Sequence, residues 1–184
     1  MASRAKEATR DAILATAAEA FASREVVNMA ELAARAGVAR GTLYRYFPTR
    51  RTLLEALEQA ARDEANRRLT EAKLDQVDVG EALARATRAL VSLGARVSFL
   101  PRPQLPLSKE RSFFAPIVAL LERGREQDEI RADVPVACLV ESLLALIGAC
   151  IRSGKAVGMG PEDVSSAALR LFLGGARPES HRRP

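Results

Sequence analysis

Seven residues within twelve positions, Arg40, Thr42, Tyr44, Arg45, Tyr46, Arg50 and Arg51, bring donors and apolar edges that a buried face would not need. Their chemistry is recognition rather than bond making. Guanidinium groups grip phosphate oxygens or read guanine bidentately, and hydroxyls donate to phosphate. Arg40, first in the stretch, is the candidate for a base contact, with a phosphate clamp as its other reading. Thr42 suits a thymine methyl or a phosphate. Arg45 and Arg50 read as contacts to the nucleic-acid backbone, and Arg51 adds a further one. Gly41, lacking a side chain, lets the polypeptide approach that backbone closely.

Catalysis has no comparable set. The one histidine, His181, lies in the terminal ARPESHRRP, so neither a Ser-His-Asp nor a His-metal site can be assembled. There is no GxxxxGK loop, and Gly158-x-Gly160 follows no strand and lacks a third glycine. No enzyme, metal or cofactor is expected.

The elements that must position the basic stretch lie around it, in NMAELAARAGVARGTLYRYFPTRRTLL, residues 28–54. Met29, Leu32 and Ala33 mark the inner face of one short helix, Leu43 and Phe47 that of a second, with Val38 between them. Asn28 is placed to cap the first helix, with Glu31 three residues on completing a capping box. Gly37 stands where the chain must leave that helix through a left-handed conformation. Ile13, Leu14, Ala17, Ala18 and Phe21 recur at helical spacing over about Glu7 to Phe21 and roof the pair. Thr49 caps a longer helix leading out through LLEALEQAARDEANRRLTEAKL. This is a helix-turn-helix, which sets one helix in the major groove of DNA.

At these residues the chain resembles the TetR family of one-component transcriptional regulators. The resemblance runs over roughly residues 7–57 and rests on Phe21, Ala36-Gly37-Val38, Gly41-Thr42-Leu43-Tyr44, Tyr46-Phe47 and Thr49-Arg50. It implies a nine-helix homodimer that binds palindromic operators and releases them on binding a small molecule. It also implies that Tyr44 and Tyr46 donate hydroxyls to phosphates; the alternative for Tyr44 is packing in the head core. Two departures stand out: a connection after Phe21 about two residues shorter than usual, and Ala39 where a Ser or Thr often caps the recognition helix. The missing cap is worth about 1 kcal/mol.

Charge agrees with this reading. Residues 1–51 carry nine Lys and Arg against five Asp and Glu, whereas residues 52–175 carry sixteen against seventeen. The net charge of +5 therefore sits on the head and on the last nine residues. Alanine, leucine, arginine and glutamate dominate, and aromatic content of 4% excludes a typical barrel or sandwich. The expected fold is all-α: a three-helix head at 1–51, a helical ligand-binding and dimerisation domain at 52–175, and a disordered tail at 176–184, with about nine helices.

Within the second domain, helices are expected over about Val79–Val97, Phe114–Gln127 and Val136–Arg152, and from Pro161 after the Gly160-Pro161-Glu162-Asp163 start. The proline-rich FLPRPQLPLSKERSFFAP cannot be one continuous helix. Val134–Ile151 reads as a buried helix, and Cys138 and Cys150 within it as core residues. Two late helices this apolar need cover from a twofold partner, a second copy of the chain. Phe99, Leu100, Leu105, Phe113, Phe114 and Ile117 are candidates for the wall of a pocket for a small-molecule effector, with Arg96 or Glu141 as polar anchors. Their other reading is plain core, and for Glu141 the rim of an interface helix. The expected partners are double-stranded DNA, the effector and a second copy, with no membrane. No apolar run follows a basic start, so a cytoplasmic regulator is expected. The competing readings are a helical small-molecule module without specific DNA recognition and an architectural DNA binder without an effector.

Overall fold

The computed structural model describes residues 2–22, 27–94, 96 and 111–177, with only the backbone described at 2–4, 22 and 111–114. These residues form eight α-helices and one 3-10 turn, with no strand among them. The order is α1 (Ala2–Ala22), α2 (Met29–Arg35), α3 (Arg40–Tyr46), α4 (Arg50–Glu71), the 3-10 turn Leu74–Gln76, α5 (Val79–Val91), α6 (Arg111–Glu126), α7 (Val136–Ala156) and α8 (Pro161–Ala176). Helix α1 starts five residues earlier than periodicity suggests. Helix α5 stops at Val91 rather than near Val97, because Ser92 ends it and Gly94 turns the chain at φ 55°. Of the tail, Ala176 completes α8 and Arg177 caps it; residues 178–184, His181 included, lie outside the described residues.

Two apolar cores divide the molecule. The first joins Ile13, Leu14, Ala17, Leu32, Leu43, Phe47, Leu53 and Leu57; the second begins at Ala61 and gathers α5 to α8. Helix α4 serves both. Its buried residues, Leu53, Leu57, Ala61, Ala65 and Leu69, recur every fourth position. At 100° per residue that stripe winds about 160° around the helix from Leu53 to Leu69. One rigid helix thus faces the head core with its first turns and the second core, on nearly its opposite side, with its last. Arg68 ties it further, pairing with Glu64 at 2.6 Å and donating to Ser92 Oγ at the end of α5. Hydrogen bonding from Arg67, with Arg68 adding to it, pulls the Glu64 carboxyl down to about 2, against the opposing effect of partial burial.

Helix α7 departs from the buried helix expected of it. Leu139, Val140, Leu143 and Ile147 enter the second core, but only 28% of its apolar stretch is buried. Cys138 is exposed, against the core reading, whereas Cys150 is half-buried and packs against the second core. Among the described residues nothing fully covers α7 at either position. By length and composition α7 is also long and apolar enough to cross a membrane.

The crossing of α7 and α8 depends on Gly154. A Cβ there would stand 2.6 Å from Val164 Cγ2, on a buried, β-branched side chain with little freedom to turn away. Gly154→Ala should therefore lower stability: overpacking of ~1–3 kcal/mol outweighs a helix-propensity gain of ~1 kcal/mol. Gly175→Ala, whose Cβ would meet nothing within 4 Å, supplies the control in parallel thermal melts. Equal melting temperatures for the two variants would refute this account of the crossing.

Candidate nucleic-acid interface

Local sequence explains how α3 is held. Asn28 Oδ1 accepts from Glu31 N at 2.9 Å and starts α2. The second arm of the anticipated capping box is replaced by another partner, since Glu31 pairs with Arg35 at 2.9 Å. At the other end Gly37 takes φ 67°; its N–H donates to Ala34 O and that of Val38 to Ala33 O. This paired closure satisfies two carbonyls that the helix end would leave orphaned. Helix α3 follows Ala39, which stands in the cap position and makes no side-chain cap bond. Thr49 and Thr52 form a reciprocal capping box at the start of α4.

The fully buried Leu43 and the nearly buried Phe47 pin α3 against the head core. Arg40, Gly41, Tyr44 and Arg45 face outward, with Thr42 half-exposed. The Arg40 guanidinium lies over the Tyr44 ring, 5.5 Å from its centroid, one helical turn away. Arg45 lies over Tyr46 at 5.9 Å. Among the described residues neither arginine has a carboxylate partner, so both keep their charge available to an anionic surface. A Cβ at Gly41 would meet nothing within 4 Å, so nothing inside the chain demands a glycine there.

The two tyrosines divide the opposite way from the weighting their sequence suggests. Tyr44, the one offered a core alternative, is exposed. Tyr46 is half-buried in the head, and its hydroxyl donates to Lys6 O at 3.1 Å. Arg50 is also engaged within the head: its Nη1 donates to Val27 O at 2.7 Å and its guanidinium stacks on Phe21 at 4.3 Å. It thereby clamps the short α1–α2 connection to the start of α4. Arg51 pairs with Glu55 at 2.9 Å, and that hydrogen bond, with the carboxylate's charge, raises its pKa.

This clamp makes a prediction about stability. Arg50→Ala should lower the melting temperature, a loss of about 1 kcal/mol for a charged donor and a stacked cation on a partly exposed residue. Arg50→Lys should restore little, having no planar group to stack and donate together. A melting temperature unchanged in Arg50→Ala would deny it the clamping role.

Of the proposed pocket residues, the three whose side chains are described, Arg96, Ile117 and Glu141, do not line one common cavity. Phe99, Leu100 and Leu105 lie outside the described residues, as do the side chains of Phe113 and Phe114. Ile117 is fully buried in the second core. Glu141 is exposed on α7. Arg96 lines a different space, a cleft of about 450 Å³ between α1 (Ala15, Thr16, Glu19) and Ser92–Gly94. Lys155 on α7 also reaches Glu19 on α1, at 3.1 Å. Helix α4 is therefore accompanied by a second, weaker tie between head and body. Arg123, at the edge of the apolar face of α6 beside Leu120 and Pro116, lines a separate cavity and has no distinguishing signal in the sequence.

Comparison with known proteins bears on this arrangement directly. Residues 13–57, from α1 into α4, match the family model for bacterial regulatory proteins of the tetR family. Over 96 residues the chain is 37% identical to the transcriptional repressor LfrR of Mycolicibacterium smegmatis, a match spanning 52% of this chain and 51% of that protein. The crystal structure of LfrR from Mycobacterium smegmatis in complex with proflavine superposes with a TM-score of 0.71 at 27% identity, covering 95% of this chain and 99% of that one.

The head of this chain, residues 13–57, is that of the tetR family of bacterial regulatory proteins.

The HTH-type transcriptional regulator NfxB of Pseudomonas aeruginosa is 23% identical over 167 residues, covering 86% of this chain and 89% of that protein. The sequence match spans about half the length of LfrR and the structural match nearly all of it. Within the matched residues the helix-turn-helix is α2 and α3. Its relatives are transcriptional regulators rather than enzymes.

Proposed function

We propose that this protein is a sequence-specific repressor that acts in the cytoplasm as a homodimer on a palindromic operator and is released by a small molecule. The observation that carries the reading is the outward row on α3. Arg40, Gly41, Tyr44 and Arg45 stand clear of the head while Leu43 and Phe47 anchor the helix from behind. Arg40 reads a base edge, steadied by the Tyr44 ring. Thr42, the Tyr44 hydroxyl, Arg45 and Arg51 hold phosphates, and Gly41 lets α3 lie close to the DNA backbone. Tyr46 and Arg50 act mainly by fixing α3 and the start of α4 in the head, with phosphate contact secondary.

The head at 1–51 takes Leu53 and Leu57 of α4 into its core, so α4 is shared with the body at 52–175. A second copy covers the exposed stripe of α7 and α8, which places two α3 helices in successive major grooves about 34–36 Å apart. LfrR is named as a repressor and has been seen with proflavine, which supports repression and small-molecule release here. A ligand shifts the dimer away from its DNA-spanning state only through its differential affinity for the two states.

Selection of random duplex DNA by the purified protein at physiological salt, followed by sequencing, tests this reading. An enriched palindrome is the expected result. Uniform recovery of all sequences, with affinity that simply falls as salt rises, would instead identify an architectural binder.

A further inference from the structure

Between the last turn of α4, the turn that follows it and the middle of α6 lies an open cavity of about 450 Å³. Its volume falls in the range of small-molecule sites. Leu69, Leu74 and Leu120, all buried, supply an apolar floor, and Pro116 and Ala119 extend it along α6. A guanidinium stands in the wall. Arg123 donates from Nη2 to the carbonyls of Leu74 and Val77, at 3.0 Å each, and so is fixed in place. Its Nε is buried and has no hydrogen-bond partner among the described residues. No carboxylate pairs with Arg123 among the described residues, so the guanidinium's charge is left for an anion in the cavity to offset. Lys73, exposed and held in a left-handed conformation at φ 49°, adds a second positive charge to the lining, against the single carboxylate of Asp75.

We infer that this cavity binds a small aromatic carboxylate, its ring on the leucine floor and its carboxylate on Arg123 and Lys73. The site deepens the ligand-released reading and rests on it for its regulatory meaning. Leu69 and Thr70 belong to the last turn of α4, whose first turns are packed in the head. A ring held between that turn and α6 favours whichever position of α4 closes on it. The binding itself depends on neither DNA nor repression.

Isothermal titration calorimetry of the full chain with benzoate and 2-naphthoate tests the site, with 2-naphthylmethylamine as a cation of matched ring. Saturable binding of at least one carboxylate, weakened tenfold or more by Ala119→Trp, which fills the cavity, and by Lys73→Met, is the expected result. The amine should bind at least tenfold more weakly. Arg123→Met should abolish binding, but it also frees two carbonyls, so the other two variants carry the test where it fails to fold. No saturable binding of either carboxylate, affinity untouched by Ala119→Trp, or equal affinity for the amine would each overturn the inference. Operator affinity measured separately in saturating carboxylate distinguishes the two proposals. Binding without DNA release upholds the site and counts against its regulatory role alone.

Discussion

Arg40→Ala is expected to weaken binding to the selected operator by about 1–3 kcal/mol per half-site and to erase the preference at one base position in each half. The expectation rests on where the guanidinium is. It projects from the first turn of α3, outside the head, with the Tyr44 ring behind it and no carboxylate partner among the described residues. Such a group loses little freedom when it meets a guanine, because the guanidinium already lies over the ring. Arg45→Ala provides the contrast: a phosphate contact should weaken all duplexes alike and reduce the salt slope by roughly one per subunit. Tyr44→Phe keeps the platform and removes only the hydroxyl, so it should resemble Arg45→Ala in kind and be smaller in size. Anisotropy titrations against a panel of singly substituted operators at several salt concentrations separate these outcomes. Equal losses for Arg40→Ala on every duplex would make it a phosphate clamp.

What could be read from sequence here follows from how local each determinant is. Gly37 and Thr49 act on their own few residues, so the turn and the start of α4 were legible from residue type and spacing. Asn28 was legible too, but Glu31 had a competing partner one turn away in Arg35, and the ion pair won over the capping arm. The fates of Tyr44 and Tyr46 were settled elsewhere in the chain. Tyr46 is drawn in by a carbonyl of Lys6, on an extra first turn of α1 that carries neither an acidic residue nor an apolar signal to announce it. Arg50 looked like a phosphate contact because its role needs Val27 O and the Phe21 ring, both brought to it by folding. The pocket was the least legible part. Arg96, Ile117 and Glu141 are plausible as a set only while their tertiary positions are unknown, whereas Arg123 is marked by a donor that burial leaves unmatched. Cys138 went astray for a related reason: apolar periodicity along α7 does not say which part of its circumference the rest of the chain covers.

Leu171→Arg is expected to convert the protein to a monomer and to reduce operator affinity by roughly 10²-fold or more, since two linked heads gain an effective concentration that single heads lack. Leu171 is 59% exposed in the single chain, so an arginine there leaves the chain's own core intact. It sits with Ala167 and Gly174 on the side of α8 away from the buried Ala168, Phe172 and Ala176. On α7 the matching stripe runs through Cys138, Ser142, Ala145 and Ala149, with Glu141 beside it and Arg152 at its end. Small residues let two helices approach closely, and charged borders favour water at the rim. A membrane would demand an apolar surface around the uncovered circumference; here it is a stripe edged by Glu141 and Arg152, which fits a helical partner of the same shape. Self-complementarity of one patch is also what a twofold axis requires. Sedimentation equilibrium before and after the substitution checks the first half of the expectation, and titration of a full palindrome against a single half-site checks the second. A variant that remains dimeric would move the interface elsewhere. A monomer that still bound the palindrome as tightly as the wild type would instead show that each head reads DNA alone, leaving helix spacing with no part in release.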